Sequence, residues 1–232
     1  MKQSESDKLL SKLLREYSTR FGWKCSRGFV FKKERESFFT ILVTGIPKAK
    51  KLSWSISFKH YDFDDVFWDV VKLPENKMQP LSFRACGAWV APSMEIQSGS
   101  AFLNEWEEEI ISEQIRNIFE ELDPLSIKVA SSINTFSSNL EVLENYYAQL
   151  IGKYPNAVRT IWVERLLTRL LESNLKEAKE ISDARIAEGD EGGFNYAGRS
   201  LYKLANEYIE TFKTPNQRIQ VTPKSGSTDA CR

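Results

Sequence analysis

The sequence predicts an α+β protein: an N-terminal helix and an antiparallel sheet of about four strands, followed by a helical subdomain. Three observations carry this reading. Leu52, Trp54, Ile56 and Phe58 alternate strictly with Ser53, Ser55, Ser57 and Lys59, the period of two that makes one face of a strand apolar and the other polar. Leu9, Leu10, Leu13, Leu14, Tyr17 and Phe21 fall along one helical stripe, with Lys8, Lys12, Arg15 and Glu16 opposite. From Asn104 onward the apolar spacing becomes helical and stays so. The organisation that follows is a sheet domain over 1–100, a helical subdomain over 101–213 and a disordered tail over 214–232.

Taken in order, Ser4 and Asp7 resemble a capping box for a first helix over 6–20, which Gly22 ends. Trp23 to Lys33 reads as a first strand with Phe29 and Phe31 on one face. Phe38 to Val43 is a β-branched and aromatic run stopped by Gly45-Ile46-Pro47. With the alternating stretch after it, this run predicts a hairpin whose long basic loop carries Lys48, Lys50 and Lys51. A short helix over 64–71 presents Val66, Phe67, Val70 and Val71. A fourth strand is expected over 81–91, where Leu81, Phe83, Ala85 and Trp89 alternate with Ser82 and Arg84. Asn104 caps the next helix, with Glu105, Glu107, Glu108 and Glu109 at its positive end. Asp123-Pro124 predicts a stop and a restart. Helical patterns follow over 125–136, 140–152, 156–172, 174–188 and 199–213, with no fixed repeat among them.

Composition narrows the function. At 232 residues, 41% hydrophobic and 28% charged, the chain can bury a sizeable core. No run approaches the ~20 apolar residues of a membrane span. The opening residues lack the apolar core of a secretory signal, so a cytoplasmic location and no membrane partner are expected. Cys25, Cys86 and Cys231 share no short spacing, which argues against a disulfide framework or a CxxC zinc site. Residues 1–100 hold 17 Lys and Arg against 11 Asp and Glu, and residues 101–232 hold 15 against 21. That split gives two layers of different character, without the strong basic footprint of a dedicated nucleic-acid binder.

Motifs for chemistry are few. There is no GxSxG, no GxxxxGK[ST] and no GxGxxG. His60 is the single histidine, which removes sites built on two or three of them. It opens His60-Tyr61-Asp62-Phe63-Asp64-Asp65, where a carboxylate could pair with the imidazole, or the aspartates could hold Mg²⁺ with help from Glu34 or Glu36. The plainer alternative is that the aspartates serve the start of the short helix. Lys48, Lys50 and Lys51 could grip phosphate, or simply keep a hairpin tip soluble. A Cys–His pair would have to be Cys86 with His60, and is not favoured. The loop Asp190 to Gly198 is the least ordinary in the chain. Gly192 and Gly193 allow close backbone approach, and Phe194 and Tyr196 belong to no helical stripe, so it reads as a binding loop or as a core plug. Trp23, Trp54, Trp68, Trp89, Trp106 and Trp162 read mostly as core, and one found exposed would be an interface anchor.

The N-terminal helix, Phe21-Gly22-Trp23-Lys24 and Phe29-Val30-Phe31-Lys32 ahead of a strand pair resemble a group of small bacterial α+β domains of unknown function. Gly189-Asp190-Glu191-Gly192-Gly193-Phe194 before a Leu/Tyr helix is similar to long members of that group. Trp23 stands where Phe is usual. The resemblance implies an accessory protein of immunity or defence type and no activity. The expected function is therefore a non-enzymatic protein-binding module, immunity- or antitoxin-like, with Lys48, Lys50, Lys51, Gly192, Gly193, Phe194 and Tyr196 as binding residues. No cofactor is expected, and no residue is assigned to a metal or to catalysis. The alternatives are a metal-dependent phosphoester-cleaving enzyme using His60–Asp65, and a nucleic-acid-binding accessory factor. The last requires a continuous positive patch of Lys32, Lys33, Lys48, Lys50 and Lys51.

Overall fold

The computed structural model describes residues 2–133, 135–151, 161–196 and 198–212. It is an α+β structure. Helix α1 (Gln3–Arg20) leads into a five-stranded antiparallel sheet in the order β1 (Lys24–Ser26), β2 (Phe29–Glu34), β3 (Ser37–Ile46), β4 (Lys51–His60) and β5 (Met94–Phe102). Helix α2 (Phe63–Val70) and a single helical turn, α3 (Phe83–Cys86), lie between β4 and β5. Then come α4 (Glu108–Ser132), α5 (Phe136–Ile151), α6 (Ile161–Leu171) and α7 (Leu175–Ala187). A two-residue hairpin, β6 (Asn195–Tyr196) with β7 (Arg199–Ser200), precedes α8 (Leu201–Thr211).

The alternation in β4 does what its period dictates. Leu52, Ile56 and Phe58 are buried on the inner face, and Trp54 lies partly buried beside them. The ladder sets them against Ile41 and Phe39 of β3, with Ile56 opposite Ile41 and Phe58 opposite Phe39. Leu10, Leu13 and Leu14 of α1 and Ile111, Ile115, Ile118 and Phe119 of α4 close this first core. At Gly45 the approach is so close that a Cβ would meet the Trp106 ring at 2.7 Å. A second core joins Phe63, Phe67 and Trp68 of α2 to Leu166 and Leu167 of α6 and to Leu201, Tyr202 and Leu204 of α8. Both cores draw residues from either side of residue 100.

Several local expectations are corrected. The stretch 81–91 is no strand: it holds α3 and a loop, and the fifth strand is Met94–Phe102. Trp23–Lys33 is two strands, because Arg27 and Gly28 turn left-handed (φ 52° and 81°) between them. The hairpin loop between β3 and β4 is not long, since Ile46 pairs with Lys51 and only Pro47 to Lys50 lie between. Helix α1 starts at Gln3, and the Glu5 carboxylate, not Asp7, accepts the backbone N–H of Lys2 at 3.0 Å. Helix α4 begins at Glu108, not at a cap on Asn104, and runs straight through Pro124. An interior proline forfeits a helical bond and costs about 3 kcal/mol. Here Asp123 accepts the Trp23 indole N–H at 2.8 Å and the Lys32 ammonium at 3.1 Å, and buried Leu122 and Ser126 flank the proline, so the sheet holds the helix across the break. The expected helix over 156–172 starts, and the tail over 214–232 lies, outside the described residues. No helix among the described residues is long and apolar enough to cross a membrane.

Candidate functional site

The loop that replaces the expected strand is held by a buried ionic network. Lys59 at the end of β4 and Asp64 in the first turn of α2 are both fully buried and bonded at 2.8 Å. The Lys59 ammonium also donates to the carbonyls of Arg84 and Ala91, each at 3.1 Å, so its three donors are all met. Burial pushes the Lys59 pKa down, and the Asp64 charge opposes that shift. Asp64 in turn accepts the Ala91 backbone N–H at 2.8 Å. Arg84 reaches Asp65 at 2.6 Å and the Tyr61 carbonyl at 3.0 Å, and its guanidinium lies 4.1 Å from the Tyr61 ring centre. Both ends of the 84–91 loop are thus tied to the sheet.

What the loop presents is Trp89. Its φ of 58° is left-handed, a conformation that costs a non-glycine residue about 1–2 kcal/mol. The strain is sustained from both sides. The Trp68 indole N–H donates to the Trp89 carbonyl at 2.5 Å, and Ala91 is fixed by Asp64 and Lys59. Trp89 is 46% exposed. It meets the Phe194 ring edge-to-face at 4.9 Å and the Tyr196 ring at 6.3 Å. Phe194 is buried and packs on Phe67 at 5.3 Å, while Tyr196 is 37% exposed. Gly192 and Gly193 are both left-handed, and the Asp190 carboxylate accepts the Gly192 N–H at 2.8 Å. A Cβ on Gly192 would press on the Tyr202 ring at 3.1 Å and on Leu201 Cβ at 3.2 Å. Leu201 N–H bonds the carbonyls of Glu191 and Phe194, seating the loop on the start of α8. Of the residues expected here, Phe194 is the plug and Tyr196 the exposed partner. Trp89 was placed in a strand by its alternation, yet its setting between Gly87 and Pro92 is the sequence signal that marks it as a loop aromatic.

The aspartates of the His60–Asp65 segment divide. Asp64 and Asp65 turn to Lys59 and Arg84. Asp62 instead meets Glu36 and His60, one ligand atom of each lying within 4.8 Å of the others. His60 is buried, and burial pushes its pKa below the usual value, against the charges of Asp62 and Glu36. Cys86 bonds the Ser82 carbonyl at 3.2 Å.

The five lysines do not form one patch. Lys32 is paired with Asp123 and Glu34, and Lys33 lies over the Tyr61 ring at 3.5 Å. Lys33 pairs in register with Phe38, and Lys51 with Ile46, which puts the two groups about 25 Å apart along β3 at ~3.3 Å per residue. Lys50 pairs with Glu105 at 3.0 Å, Lys51 lies near the Phe102 ring, and Lys48 is exposed. No protein-family model, no curated protein and no solved structure matches this chain at a significant level.

Proposed function

We propose that this chain is a non-enzymatic, cytoplasmic protein-binding module of the immunity- or antitoxin-like accessory kind, and that the Trp89–Tyr196 surface is where its partner docks. One observation carries the docking site: a half-exposed tryptophan is held in a strained conformation by a buried ion network in which all three donors of Lys59 are met. Strain of that kind persists only where the surroundings over-determine it, and it gathers at functional positions. Tryptophan and tyrosine are the side chains that most often anchor interfaces, being large, rigid and polar at one edge. The accessory role itself rests on the resemblance of the N-terminal segment and the 189–194 loop, and on the lack of a catalytic motif in the sequence.

The test is capture by the tagged full-length chain from lysate of its own cells, with and without nuclease, alongside Trp89→Gly and Tyr196→Ser. Glycine accepts the left-handed φ, so Trp89→Gly removes the ring and leaves the backbone relaxed. The expected result is one protein recovered with and without nuclease, binding the purified chain directly, and lost with either variant. Recovery that both variants retain would overturn the assignment of the surface. Recovery that disappears with nuclease would replace the reading with a nucleic-acid partner.

A further inference from the structure

We propose that Glu36, His60 and Asp62 form a binding site for a first-row divalent transition ion such as Zn²⁺. Glu36 lies in the turn between β2 and β3, while His60 ends β4 and Asp62 follows in the next turn, yet their ligand atoms lie within 4.8 Å of one another. The two segments are clamped together, since the Tyr61 N–H donates to the Glu36 carbonyl at 2.7 Å. No hydrogen bond joins one of these side chains to another, and neither carboxylate is paired with a lysine or arginine among the described residues. Lys33 is near enough to act on the His60 ring, but its ammonium lies over the Tyr61 ring instead. Two bare carboxylates facing one imidazole leave room for a cation. Bonds of about 2.0–2.2 Å to a common ion set such donors roughly 3–3.5 Å apart, inside the 4.8 Å limit that encloses the three ligand atoms.

Two further features distinguish this cluster from chance crowding of surface acids. The His60 ring is buried and fixed by packing, edge-on to Phe136 at 4.4 Å and against Phe63 at 5.5 Å. Its hydrogen bond, from the Asp62 N–H to Nδ1, is a long 3.3 Å and easily given up. Directly across the β3–β4 ladder from His60, and therefore on the same face, is Ser37. Ser37 is 1% exposed and its Oγ has no hydrogen-bond partner among the described residues. A water completing the shell of an ion at this site would supply the partner that the buried hydroxyl lacks. One imidazole and two carboxylates select a borderline ion over Mg²⁺ or Ca²⁺, which prefer oxygen ligands alone.

The experiment is a titration of the full-length chain at neutral pH with Zn²⁺ by calorimetry and with Co²⁺ by absorption. In parallel, the resonances of the single imidazole are followed by NMR. One ion is expected per chain, with a shift of the His60 signals. Glu36→Gln and Asp62→Asn, both at solvent-accessible positions, are each expected to weaken binding by roughly 10–100-fold. Glu109→Gln, on the surface of α4, is expected to leave it unchanged. The site is refuted by binding no tighter than ~1 mM, by binding that both variants retain, or by Mg²⁺ or Ca²⁺ binding more tightly than Zn²⁺.

Discussion

Two clusters of charge meet in the segment from Lys59 to Asp65. In Lys59, Asp64 and Arg84 nearly every polar atom is matched, with three acceptors around one ammonium and two cations plus a backbone N–H around one carboxylate. In Glu36, His60 and Asp62 the ligand atoms gather within 4.8 Å of one another, and neither carboxylate is paired with a lysine or arginine among the described residues. The residue types are similar and the positions interleave, but the physics differs. A buried charge whose valences are all filled by protein is committed to holding that protein together. Charges gathered and left unfilled are available to something else.

The contrast is broken or sharpened by substitution. Asp64→Ala leaves the Lys59 ammonium buried without its counterion, and a loss of about 3–5 kcal/mol is expected in urea unfolding. Asp62→Ala, two residues earlier, is expected to cost no more than about 0.5 kcal/mol. Equal losses would erase the distinction. The paired change Lys59→Met with Asp64→Leu is expected to lose less than Asp64→Ala alone, because no orphan charge remains.

Glu164 extends the comparison to a buried carboxyl with no charged partner among the described residues. It is 1% exposed, its Oε2 has no hydrogen-bond partner among the described residues, and burial pushes its pKa up to about 8. The folded chain therefore holds a proton there that the unfolded chain releases above pH ~4.5. Stability falls as pH rises from about 4.5 towards 8, by at most about 1.4 kcal/mol per pH unit and a few kcal/mol in all. Glu164→Gln is expected to flatten that slope, measured as urea midpoints between pH 5 and 8. An unchanged slope would mean the carboxyl is ionised in place.

Smaller effects belong to the loops. Gly192→Ala forces a Cβ into a left-handed residue against Tyr202, and about 1–2 kcal/mol of destabilisation is expected in thermal or urea unfolding. Lys50→Ala removes an exposed ion pair with Glu105, and should cost between 0 and about 1 kcal/mol, less at high salt. A loss above that would give the hairpin tip a structural role its exposure does not suggest.

Where residues report their own periodicity, the sequence was readable. The leucine stripe of α1, the alternation of β4 and the apolar face of α2 each match an element in the structure. β5 was not readable, because Met94-Glu95-Ile96-Gln97-Ser98-Gly99-Ser100-Ala101-Phe102 has no row of large apolar groups. The reason lies on the neighbouring strand. The Trp54 ring occupies the space beside Gly99, so a Cβ there would meet it at 2.6 Å. A bulge between Ile56 and Ser57 then shifts the pairing with β5. The stretch 81–91 alternates as a strand does, yet Lys59 and Asp64 capture its backbone groups. The sites divided along the same line. Tyr196 and Phe194 stood out by belonging to no stripe, and Glu36 was named as a possible companion of the aspartates. Trp89 was hidden by an alternation that a buried lysine overrides.

The sharing of both cores across the chain has a consequence for how the molecule is made. Phe63, Phe67 and Trp68 of α2 are covered by α6, which leaves the ribosome some ninety residues later, and by α8, some 130 residues later. At about 5–20 residues per second, that greasy face waits on the order of 5–25 s for its full lid. In that interval the nascent chain offers a hydrophobic patch to whatever chaperone or neighbouring chain is near. Truncated products that stop before α6 keep it uncovered for good, which makes them natural clients for proteolysis.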